Sequence, residues 1–152
     1  MATRPTDAAP RSANLSVQQM KTAIPKLERR IAELQKFDPA SIQDRSDSRV
    51  KALEASIDDA LVDIFGNDTV EYKRYQLAKH LDTARWNYAY EVPLHEIQAG
   101  FQRGKDNALA LFGQAVESFR EKLGDSGETA AGHALRAYEG LDFHPEIARA
   151  AG

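Results

Sequence analysis

Leu94, Ile97, Phe101, Ala108, Phe112, Ala115, Phe119 and Leu123 recur at intervals of three, four or seven residues. Apolar side chains at that period line one face of an α-helix and fit no strand. Pro93 suits the first helical position, and Gly124 suits the end. A helix of about 30 residues at a rise of about 1.5 Å is roughly 45 Å long, and its apolar face needs cover along its length. Within it stand Gly100, Gly104 and Gly113. Each costs up to about 1 kcal/mol against alanine in a helix interior. The missing side chains are therefore expected to be used. The plain reading is close approach by another helix backbone. The sharper one places a ligand or partner there. Gly100 and Gly104, with Phe101 between them, are the candidate interface residues, a packing surface that two protomers could share.

Two further stripes supply partners for that face. Met20, Ile24, Leu27, Ile31 and Leu34 repeat at four, three, four and three. Ser16 and Gln19 form a capping box ahead of them. Pro25 lacks a backbone N–H, so a kink near residues 22–24, or a short helix running into a longer one, is expected. Val50, Leu53, Ile57, Leu61 and Ile64 form the next stripe. Asp47 or Ser48 caps its start and Gly66 its end. A third helix is expected over NDTVEYKRYQLAKHL, with Asp68 as cap and Glu71 completing the box. DTARWNYAYEV reads as an ordered loop that tucks Trp86, Tyr88 and Tyr90 onto the helices.

These patterns predict an all-α fold, an antiparallel helical bundle with one long C-terminal helix. The expected core is Leu27, Ile31, Leu53, Ile57, Leu61, Ile64, Phe101, Phe112 and Phe119. Residues 1–14 carry no apolar stretch and contain Pro5 and Pro10, so they read as a disordered tail. Residues 15–124 form the bundle. Residues 125–152 read as a linker, GDSGETAAGHA, and then the start of a following, truncated domain. In that second part His144-Pro145 sets up a helix start.

Composition removes several function classes. The chain has no cysteine, hence no disulfide or thiolate metal site. No run of about 18 apolar residues exists to span a membrane. A net charge of −3 disfavours a strong polyanion surface, so nucleic acid is a minor expectation as partner. A reducing, cytoplasmic location fits this composition.

No reactive constellation stands out. HEIQA opens like a zinc-protease signature, but Ala99 occupies the second histidine position. His80, His95, His133 and His144 are dispersed, and no metal or cofactor is expected. Arg74 and His80 could serve a nuclease, the arginine holding phosphate charge while the histidine moves a proton. Six residues along a helix set them about 120° apart, however, and Lys73 and Lys79 make a solvated basic face the plainer reading. Asp58, Asp59 and Asp63 read as a charged helix face. Arg29–Arg30 offers a face for an acidic partner or phosphates.

ALVDIFGNDTVEYKRY carries a helix ending in Phe-Gly, a polar turn and a helix with tyrosines. IQAGFQRGKDNALALFGQAVESFREKL is a long helix bearing two glycines four residues apart and a phenylalanine stripe. Both resemble the N-terminal helical accessory region of bacterial conflict and defence proteins with TIR-like or HEPN-like effector domains. LDFHPEIARAAG resembles the entry into a Ymh-type HEPN-like domain. The resemblance implies a non-enzymatic module for oligomerisation or sensing, with the effector placed C-terminally. It implies a homo-oligomer or an intramolecular effector domain as partner. The effector's catalytic arginine and histidine would lie downstream of Gly152, and Arg74–His80 departs from that motif in spacing. A small HEPN-like RNase or nucleic-acid-binding domain using Arg74 and His80 is the other expectation.

Overall fold

In the computed structural model, which describes residues 9–139 and their side chains through residue 125, the apolar stripes become helices. In chain order these are α1 (Val17–Lys36), α2 (Ser48–Phe65), α3 (Val70–Tyr75) and α4 (Leu94–Glu139). Short 3-10 turns follow α1 and α3, at Pro39–Ser41 and Gln76–Lys79. The described residues contain no strand, only one isolated bridge between Arg11 and Thr69.

The capping box of Ser16 and Gln19 starts α1 as expected. Pro25 lies inside one continuous helix, on its exposed side. It has no N–H to offer the carbonyl of Lys21. Asp47 caps α2, accepting the Arg49 N–H at 2.8 Å. Gly66 closes it with φ of +80°, a value that favours glycine. The next cap differs from expectation by one residue. Thr69, not Asp68, accepts the Tyr72 N–H at 3.0 Å, and its hydroxyl donates to the Gly66 carbonyl at 3.1 Å. Asp68 instead pairs with Arg11, and Glu71 accepts from the Ala13 N–H at 2.9 Å. Residues 11–13, read as part of a loose tail, are thus fastened to the α2–α3 turn. The Val70 N–H donates to the Arg11 carbonyl at 2.9 Å.

Helix directions follow from which residues meet. Lys26 pairs with Asp63 at 2.5 Å, while Arg30 and Glu33, further along α1, both bond Ser56. Rising numbers on α1 meet falling numbers on α2, so the two are antiparallel. Gln98 donates to the Ala40 and Ile42 carbonyls, Phe101 meets Phe37 edge-on at 6.2 Å, and Lys105 reaches the Phe37 and Gln35 carbonyls. By the same reasoning the first turns of α4, residues 94–105, run opposite to α1. Leu27, Ile57, Leu61, Ile64, Phe101, Phe112 and Phe119 are buried, and Phe65 stacks between Tyr75 and Phe119. Ile31 and Leu53, also expected in the core, are only half-buried.

The chain divides into two compact units, Met1–Phe119 and Arg120–Gly152. Within the second, the backbone is helical from Arg120 to Glu139, so the stretch from residue 125 that reads as a linker is helical instead. The expected helix start at Pro145 lies outside the described residues. No helix among the described residues is long and apolar enough to cross a membrane.

Candidate functional site

Between the 3-10 turn after α3 and the start of α4, the chain takes no regular structure over residues 80–93. Its first half is nailed down. Leu81 is fully buried and donates its N–H to Glu54 at 3.0 Å. The Thr83 hydroxyl donates to the Gly100 carbonyl at 2.5 Å. A Cβ added to Gly100 would lie 2.5 Å from the Ala84 backbone nitrogen, and one on Gly104 would lie 2.6 Å from both Cα and the carbonyl carbon of Leu81. Close backbone approach therefore explains these two glycines, but the approaching chain is this irregular segment and not a helix. It also corrects their reading as a surface between protomers. Gly100, Phe101 and Gly104 are buried beneath their own chain. Gly113 has no atom within 4 Å of its Cβ direction, so its missing side chain accommodates no described neighbour.

Arg45, on the link from α1 to α2, organises the same segment. Its Nε and Nη2 donate to both oxygens of Asp82, at 2.8 and 2.9 Å. Nη1 and Nη2 also donate to the Arg85 and Ala84 carbonyls, at 2.7 and 2.8 Å. Four bonds to one planar fork give a geometry a lysine cannot copy. The guanidinium lies 3.8 Å from the ring centre of Trp86, a cation–π contact.

Past Arg45 the segment turns outward. Trp86 is 69% exposed, Tyr88 102% and Tyr90 56%. The expected inward tuck of these aromatics is overturned: Arg45 supports one side of Trp86, and Arg85 holds the Tyr90 hydroxyl at 3.2 Å while bridging to Glu96. The aromatics and the loop 43–46 line an open groove of about 950 Å³, with Val92, Leu94 and Ile97 also in its lining. Monomer surfaces that gather large aromatics in one place commonly serve binding. Asp44 on the groove rim accepts from the N–H and hydroxyl of Ser46, which hold its carboxyl below the usual carboxylate range.

A second polar cluster fastens α3 to α2. The Tyr72 hydroxyl donates to Asp58 at 2.5 Å, and Lys79 reaches Asp58 at 3.3 Å and the Tyr72 oxygen at 3.1 Å. The Tyr72 hydrogen bond, then Lys79, lowers the Asp58 carboxyl, and Tyr72 followed by Asp58 raises the Lys79 ammonium. The phenol proton is already engaged by Asp58, and the cluster lies outside the aromatic groove.

The residues singled out for chemistry are not assembled. Arg74 lies in the last turn of α3 and His80 follows the 3-10 turn; both are exposed, and no hydrogen bond joins them among the described residues. Arg30 of the Arg29–Arg30 pair is engaged by Ser56 and Glu33, so that face presents Arg29 alone. His95 is exposed at the start of α4; His133 and His144 lie outside the described side chains. No group of three His, Asp or Glu able to hold a metal occurs among the described residues. Comparison of the chain with protein-family models, curated proteins and solved structures returns no match. The aromatic groove was missed by periodicity because its three aromatics lie on no helix. Its one sequence signal was the cluster of three large aromatics in five residues, Trp86 to Tyr90.

Proposed function

We propose that the chain is a non-enzymatic helical recognition module that works through the groove beside Trp86. The observation that carries this reading is the exposure of Trp86, Tyr88 and Tyr90 on a segment whose base is rigidly anchored by Arg45, Asp82 and the glycine face of α4. Anchoring that base keeps exposed aromatics ready for a partner and reduces the ordering cost of binding. Sensing is thus preferred over oligomerisation through Gly100 and Gly104. The resemblance to accessory regions of bacterial defence proteins supplies a setting, in which recognition here would inform an effector domain.

Selection of a random peptide library against the purified chain tests the reading, with counter-selection against Tyr88→Ser. The side chain of Tyr88 is fully exposed, so the variant keeps the fold. Enrichment of peptides that bind wild type and not the variant is expected. Absence of any such peptides contradicts the reading. RNA cleavage that disappears in Arg74→Ala or His80→Ala would replace it with the nuclease reading.

A further inference from the structure

Resting on that recognition reading, we propose that the groove takes an extended peptide segment of a partner protein carrying lysine or arginine among apolar residues. The charged residues lining it are Asp44, Arg45 and Glu91. Arg45 is the sole cation among them, and it is already committed to Asp82 and two backbone carbonyls. Asp44 has only Ser46 as partner, and Glu91 forms no hydrogen bond or ion pair among the described residues. The lining therefore offers carboxylates that lack a counter-ion, beside the exposed Tyr88 ring and the exposed parts of Trp86 and Tyr90, whose rings Arg45 and Arg85 already approach from one side. Carboxylates and π faces both favour a cation, and the aromatic faces also accept the methylene stem of a lysine or arginine.

The loop backbone favours an extended occupant. From Trp86 to Val92, no N–H or C=O has a backbone partner among the described residues, and only the Ala89 N–H is met by a side chain, that of Asn87 at 2.8 Å. A peptide laid along the loop finds main-chain groups to pair with, while its alternate side chains enter the groove.

Trp86 is the only tryptophan of the chain, so its emission reports on this groove alone. Three octapeptides sharing the same apolar residues, with lysine and arginine, serine, or glutamate at the remaining positions, are titrated against the purified chain. The basic peptide is expected to give a saturable change in emission. At least tenfold weaker binding is expected for the serine peptide and no response for the glutamate one. Glu91→Gln and Glu91→Lys should weaken the basic peptide progressively, by about threefold and tenfold or more, with unchanged circular dichroism. Equal or better binding of the serine or glutamate peptide overturns the charge preference and leaves the recognition reading standing. No response to any of the three, together with failure of the library selection, overturns both. An emission change with protein concentration alone, accompanied by a dimer in light scattering, assigns the groove to a second copy and overturns the peptide proposal.

Discussion

Gly104→Ala separates the two reasons a glycine can stand in a long helix. Alanine gains about 1 kcal/mol in helix propensity over glycine. Its Cβ would also lie 2.6 Å from Leu81 Cα and from the Leu81 carbonyl carbon. Comfortable carbon contacts are about 3.5–4.0 Å, so the segment must retreat by about 1 Å. It cannot do so freely, because Leu81 is bonded to Glu54, Asp82 to Arg45 and Thr83 to Gly100. Overpacking costs about 1–3 kcal/mol and sometimes more, and contact with backbone atoms places this site at or above the upper end, about 3–4 kcal/mol. The net loss is then about 2–3 kcal/mol. Gly113→Ala is the internal control: nothing lies within 4 Å, so only the propensity gain of about 0.5–1 kcal/mol remains. Urea unfolding followed by far-UV circular dichroism measures both, and the midpoints should move in opposite directions at similar slope. A Gly104→Ala protein as stable as wild type would refute the close-approach reasoning.

Thr69→Ala should cost about 1–2 kcal/mol, because it removes the α3 cap and leaves the Tyr72 N–H without its acceptor; thermal unfolding reads this, and Thr69→Ser should recover most of it. Arg45→Lys should lose about 2–3 kcal/mol in urea unfolding, since a point charge cannot serve Asp82 and two carbonyls together. Asp58 has a lowered folded-state pKa, so its contribution is present above the unfolded carboxylate value of about 3.9 and is lost as pH falls through the folded value. Asp58→Asn should therefore be less stable than wild type near neutral pH. The gap should narrow below about pH 4, checked by urea midpoints at each pH.

The three long helices were legible because each carries its own 3.6-residue pattern. Leu27, Ile57, Leu61 and Phe112 needed no knowledge of what covers them. Ile31 and Leu53 belong to the same stripes but sit at their margins, where period alone cannot separate buried from half-buried. Tertiary partners far along the chain were not legible. Arg11 bridges to Thr69, and Arg45 reaches Asp82, 37 residues away. No local spacing encodes either pairing. The loop of Trp86, Tyr88 and Tyr90 was expected to tuck its aromatics onto the helices, yet Arg45 and Arg85 support Trp86 and Tyr90 at the surface. The glycines announced close packing correctly at Gly100 and Gly104, but sequence could not say that the visitor would be residues 81–84.

Everything about the groove depends on where the single indole sits in the free protein. Acrylamide quenching of Trp86 emission in dilute solution measures this directly. The account predicts quenching close to that of a solvent-exposed indole, unchanged in Tyr88→Ser and increased in Arg45→Ala, which strips the guanidinium from the ring. An indole shielded like a core side chain would contradict it.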